Sequence, residues 1–250
     1  MLTARVIPCL DTREGRIVKG VRFANLRDAG DPTARAAEYQ EQGADEIVLL
    51  DVSATPEGRS HALETVRRVR AVLAIPLTVG GGVRTLGDAG ALLEAGADKI
   101  AVNTAAFLRP DLIDEIAAAF GSQCAVLALD AARAATGFEV VIRSGGERTG
   151  RDAVAWVREA VRLGAGEILL TSLDRDGTRS GYDLELIATV STTAMVPVVA
   201  SGGARAAADL LAALQAGADA VLAASIFHDG DWSVAAVKEF LAARGVEVRR

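Results

Sequence analysis

The feature that most constrains this chain is a repeat: its second half restates its first at a fixed spacing. Glu46 and Glu167, Gly81 and Gly202, Gly82 and Gly203, Gly96 and Gly217, Asp98 and Asp219, and Thr104 and Ser225 each lie 121 positions apart. In a chain of 250 residues that spacing is close to half the length, so the fold has to be built from two similar halves. Within each half, short apolar runs alternate with longer segments of helical period. The runs at 5–10, 46–51, 76–80, 99–103, 125–130, 167–172, 197–201 and 219–224 read as strands. Helices are expected near 32–43, 59–73, 86–96, 109–120, 151–164, 183–193, 205–216 and 232–244. Four strands follow a Gly-Ala pair, at Gly43, Gly96, Gly164 and Gly217, where the glycine suits a left-handed helix cap.

Eight strands alternating with eight helices predict a single-domain α/β fold over 1–250, a (β/α)8 TIM barrel with a two-fold half-barrel repeat. The strands are apolar throughout rather than alternating, as a parallel sheet covered on both faces requires. A doubly wound open sheet is the architectural alternative. Residues 131–150 break the pattern: FEVVIR at 138–143 and a glycine-rich turn predict a small hairpin inserted after the fifth strand.

Composition narrows the function. No run of about 18 apolar residues occurs, so no membrane span is expected. The formal net charge is −6 and there is no basic run, which argues against a nucleic-acid partner. Cys9 and Cys124 sit in apolar runs and read as buried hydrophobes of a reducing cytosol, implying a cytoplasmic protein. The two histidines, His61 and His228, are far apart, so no metal site is expected.

In a barrel of this kind chemistry belongs at the C-terminal strand ends. VGGGV (79–83) and ASGGA (200–204) end the third and seventh strands, and glycines there let backbone N–H groups approach an anion. NTAA (103–106) and ASIF (224–227) follow the fourth and eighth strands, offering Thr104 and Ser225 to complete each cup. Two cups half a turn apart predict a substrate with a phosphate at each end; otherwise the glycines serve only tight turns. DRDGTRSG (174–181) reads either as a loop turning Asp176 and Gly177 toward the second cup or as a solvated connection. Asp11 and Asp130 close the first and fifth strands, so they face each other across the mouth and suit general acid and base roles. Asp51 has the opposite parity and is left out of that set. With aromatic residues at 4% and both tryptophans in helix segments, a glycosidase is disfavoured. Lys19 lies in a polar loop of about 20 residues whose length suits a lid, and either reaches a phosphate or stays on the surface. At the opposite barrel end, Arg5, Glu46, Lys99 and Glu167 open strands with inward parity, predicting a ring of alternating charge that acts as a plug or a gate.

The stretches IPCLD (7–11), RIVKG (16–20), NLRDAGDP (25–32), VGGGV, NTAA, FGSQ (120–123), GAGEILLTSLDRDGTRSGYD (164–183), ASGGA and AASIFH (223–228) closely resemble the cyclase subunits of imidazole glycerol phosphate synthase, in histidine biosynthesis. The resemblance spans the chain. Arg22, and a loop at 53–56, depart from the usual pattern. The resemblance implies a lyase without a cofactor: ammonia attacks a bis-phosphorylated ketose aminoimidazole carboxamide ribonucleotide, which fragments and cyclises to imidazole glycerol phosphate with release of aminoimidazole carboxamide ribonucleotide. It implies that Asp11 and Asp130 are the acid and base. One phosphate would sit on Gly82, Asn103 and Thr104, the other on Asp176, Gly177, Gly203 and Ser225, with Lys19 on the mobile loop and Thr171 and Ser201 lining the pocket. It favours the gate at Arg5, Glu46, Lys99 and Glu167, admitting ammonia from a glutaminase subunit docked beneath. The runner-up is the isomerase of the preceding step, a similar two-fold barrel with the same ligand; a non-catalytic phosphate-binding barrel is the third reading.

Overall fold

Every apolar run becomes a strand with a parallel neighbour on each side, and the sheet closes on itself. In a computed structural model, which describes residues 3–21, 24–55, 57–58 and 62–249, the barrel strands are β1 (Arg5–Arg13), β2 (Ile47–Asp51), β3 (Leu77–Gly80), β4 (Lys99–Val102), β5 (Ala125–Arg133), β6 (Glu167–Ser172), β7 (Val198–Ser201) and β8 (Ala220–Ala223). They pair in chain order, β6 joins β5 from Glu167↔Val126 to Ser172↔Ala131, and β8 returns to β1 through Arg5↔Ala220 to Pro8↔Ala223. This is the expected (β/α)8 barrel; an open doubly wound sheet would leave two edges unpaired.

Closure divides the apolar residues into two cores. Ile7, Cys9, Val48, Ala101, Val126, Leu169, Val199, Ala220 and Leu222 fill the barrel interior. Alternate residues such as Val6, Leu10, Ile47, Leu49, Ile100 and Leu127 point outward into a larger core beneath the helices. Both faces are therefore dry, and the strands need no polar alternation. Repeated residues hold equivalent joints. Asp98 accepts the Leu77 N–H at 2.8 Å and Asp219 the Val198 N–H at 2.9 Å, tying the foot of β3 to β4 and of β7 to β8. The helices start where the sequence offers caps: Asp31 accepts from Thr33 N with Pro32 in the first turn, and Thr85 and Asp88 form a reciprocal capping box. The Gly-Ala glycines all have positive φ at helix ends.

Several local expectations need correction. β1 does not end at residue 10. It runs to Arg13, and the long connection after it is a β-ribbon of Arg16–Val21 and Ala24–Gly30 rather than a loop, because Thr12–Arg13 pair antiparallel with Arg16–Ile17. β5 likewise continues to Arg133 and folds back as Phe138–Ile142 and Glu147–Asp152, the inserted hairpin. The helix expected at 109–120 starts at Asp111 and follows a separate short helix, Thr104–Leu108; another short helix, Ser225–His228, occupies the matching place after β8. Trp232 precedes its helix, which begins at Val234. Cys9 is buried, but Cys124 is half-buried in a 3-10 turn, since Gly121 ends the preceding helix early. Both thiols are free. Arg22, Pro56 and residues 59–61, including His61 and the expected start of a helix, lie outside the described residues.

The glycine turns are obligatory for packing as well as for backbone conformation. Gly81 has φ 93°, and a Cβ there would lie 2.2 Å from the Asp51 carbonyl oxygen. Gly202 has φ 94°, and its Cβ would lie 2.8 Å from the carbonyl oxygen of Ser172, 121 residues beyond Asp51. Gly81→Ala is expected to lower stability by about 2–4 kcal/mol, whereas Gly43→Ala, which meets open space, costs about 1 kcal/mol. Paired thermal denaturation curves check this; equal losses would mean that close packing plays no part.

Candidate functional site

Inward parity brings two acids to the mouth. Along β1 the series Arg5, Ile7, Cys9, Asp11 faces the interior, and along β5 the series Val126, Ala128, Asp130 does the same. Each strand continues beyond its aspartate into a hairpin, so both carboxylates sit inside the rim rather than at a frayed end. Asp11 accepts a long hydrogen bond from the Cys9 thiol, 3.4 Å. Asp130 accepts from Asn103 Nδ2 at 2.9 Å, and Thr171 is its direct neighbour across the β5–β6 pair. Burial, and then the nearby Asp176 carboxylate, push both Asp11 and Asp130 up to about 7, with Asp11 adding a smaller push on Asp130. Both acids therefore keep their protons to higher pH than an ordinary aspartate.

The repeat-related turns line two separate cavities. One, about 510 Å³, is lined by Gly81, Gly82, Asn103, Thr104, Asp130 and Thr171. The other, about 60 Å³, is lined by Asp11, Lys19, Asp176, Gly177, Gly203 and Ser225. Each cup therefore adjoins one of the two acids. Asp176 and Gly177 turn toward the second cup rather than into solvent. Ser201 ends β7 beside Thr171 and lines neither cavity. Asp51 is buried and accepts from the backbone N–H groups of Ser53 and Ala54; it also contributes to the lining of the larger cavity.

The cups contain groups that the sequence alone did not flag. Arg143 and Ser144, at the inserted hairpin's tip, line the larger cavity; the Arg143 N–H donates to Thr104 Oγ1 at 2.9 Å. Their φ values, 56° and 52°, are unusual for residues with side chains and mark a tight tip. Arg84 also lines this cavity and Arg179 the smaller one. Only tertiary folding shows these contacts, because the hairpin tip approaches a turn 39 residues away.

At the other barrel end the four charged residues close into a ring. Arg5 bonds Glu46 at 2.9 Å and Glu167 at 2.8 Å; Lys99 bonds the same two acids at 2.9 and 3.0 Å. Thr78, another inward residue, donates to Glu46 at 2.5 Å. Alternating sign satisfies each charge, and the apolar interior begins directly above.

Comparison with known proteins identifies the family. The family described as "Histidine biosynthesis protein" matches residues 5–233. Proteins named imidazole glycerol phosphate synthase subunit HisF are similar over the whole chain. That of Exiguobacterium sibiricum is 54% identical, covering 100% of both chains. Those of Acidobacterium capsulatum and Anoxybacillus flavithermus are each 56% identical, covering 100% of this chain and 99% and 100% of theirs. The chain thus belongs to the histidine biosynthesis protein family, among the HisF subunits of imidazole glycerol phosphate synthase.

Proposed function

We propose that this HisF family member makes imidazole glycerol phosphate by spanning a bis-phosphorylated ketose aminoimidazole carboxamide ribonucleotide across its mouth. Asp11 and Asp130 act on the middle of that substrate. The observation that carries the reading is the pair of cavities at repeat-related glycine turns, each adjoining one acid. Gly82, Asn103 and Thr104 hold one phosphate; Asp176, Gly177, Gly203 and Ser225 hold the other, with Lys19 and Thr171 beside them. Ser201 is left supporting Thr171 rather than touching ligand. Ammonia condenses with the ketose carbonyl with loss of water, and the new nitrogen then attacks the amidine carbon, whose bond to aminoimidazole carboxamide ribonucleotide breaks as the imidazole ring closes. These steps require a proton donor and a proton acceptor at one centre, which two carboxyls titrating near 7 supply.

The lower ring is the ammonia gate. Above it the interior is lined by apolar side chains, which admit neutral ammonia and penalise ammonium. The ring must part for passage, and Lys99, bridging both acids, is the side chain whose movement opens it. The ammonia comes from a glutaminase subunit docked on the N-terminal face. Met195, 88% exposed just before β7, gives that face an apolar contact point. No helix among the described residues is long and apolar enough to cross a membrane. The isomerase alternative is separated by assay: ammonia-dependent consumption of the ketose supports the cyclase, and conversion of the aldose precursor without ammonia supports the isomerase.

Asp11→Asn and Asp130→Asn are each expected to lower turnover about 100-fold or more. Both carboxyls hold protons to higher pH in the fold than in the unfolded chain. Their ionisation therefore costs stability, over the window from the ordinary aspartate value of 3.8 to about 7, with the full cost above 7. Both keep some solvent contact, so each asparagine variant should gain about 1–2 kcal/mol at pH 8 and little at pH 4, read by denaturant titration. Full activity in both variants would defeat the assignment. Asp176→Asn removes the shared carboxylate and should move both limbs of the kcat/KM pH profile to lower pH; an unmoved profile contradicts the coupling. Lys99→Ala should impair glutamine-dependent turnover more than turnover with added ammonia. Equal losses count against a gate.

A further inference from the structure

The two cups are unequal, and the inequality traces to positions where the repeat breaks. In the first half Leu108 ends the short helix after β4 and lines the larger cavity. The position 121 residues later is Asp229, which follows the matching helix after β8. Gly58 and Arg179 are likewise 121 apart, and both have positive φ, 67° and 55°. A glycine adopts that conformation without strain, yet at the second cup it is held by a residue with a side chain. The departure from the repeat places a cation at a position where the first half has none.

That cation is engaged within the protein. Asp229 Oδ1 lies 2.5 Å from Lys19 Nζ, its Oδ2 accepts from Arg179 Nη2, and Arg179 Nη1 lies 3.0 Å from Asp231 Oδ2. Lys19 and Arg179 both line the smaller cavity, and the Lys19 side chain is 9% exposed. The contacts join the ribbon after β1 and the loops after β6 and β8. They place the cup's two cations on a carboxylate, while Asp11 and Asp176 add negative charge to its lining. An incoming phosphate must compete for Lys19 and Arg179.

We propose that Asp229 is a positioning residue that occupies the second cup's cations as an internal stand-in for phosphate, so that this cup engages its phosphate only by displacing Asp229, while the first cup is open from the start. The proposal rests on the two-cup reading above. The selectivity it confers favours a ligand already anchored in the first cup. A free monoanion or single phosphate meets the closed cup alone, whereas a double-ended ligand brings its second phosphate at high local concentration.

Titration calorimetry with inorganic phosphate tests this on the full chain. The second-cup isotherm is identified as the one lost in Ser225→Asp, which fills that cup with a carboxylate. Asp229→Asn keeps shape and removes charge, and should raise phosphate affinity at the second cup about tenfold, as expected when a mostly blocked state becomes competent. Affinity at the first cup should be unchanged, and Asp229→Glu should return the second cup toward the unsubstituted value. Unchanged or weaker second-cup binding in Asp229→Asn overturns the stand-in role and makes Asp229 a structural brace, with the cups themselves intact. Absence of any isotherm sensitive to Ser225→Asp overturns the two-cup reading and this proposal together.

Discussion

The closed barrel imposes one constraint from which the rest follows: every second residue of eight strands must face the same narrow interior. The interior is consequently layered. Arg5, Glu46, Thr78, Lys99 and Glu167 neutralise one another at the foot, apolar side chains fill the middle, and Asp11, Asn103, Asp130 and Thr171 meet at the mouth. Charge is kept out of the middle because no partner could reach it there. The layering separates a conduit-like lower half from a reactive upper one.

At the mouth, burial first and like charge second decide how the two acids hold their protons. Burial raises Asp11 and Asp130, and Asp176, standing in the second cup, raises both further. One residue of the second cavity thereby also bears on how Asp11 and Asp130 hold their protons.

The repeat explains why two anion pockets exist; its breaks explain why they differ. Gly81 and Gly202 meet equivalent carbonyls, and Asp98 and Asp219 tie equivalent strand feet. Leu108 against Asp229, and Gly58 against Arg179, give one cup a wide cavity and the other an occupied set of cations. Symmetry supplied two equivalent positions at the mouth, and local departures from symmetry make their cavities differ.

The barrel, its two-fold character, the facing acids and the alternating ring were legible in the sequence, because each depends on short-range periodicity. A two-residue strand period decides which residues face inward, and a fixed half-chain offset decides which strand ends are opposite. Contacts without such a period were not legible. Extension of β1 into a ribbon, the Arg143 backbone on Thr104, Ser201 outside both cavities, and Asp229 between Lys19 and Arg179 depend on where long connections come to rest. The sequence by itself determined the architecture and the chemical character of each strand end, since hydrophobic periodicity acts along the chain. Only the tertiary structure decided the size of each cavity, which cations are paired and which acids are buried, since those depend on contacts between residues up to 210 positions apart.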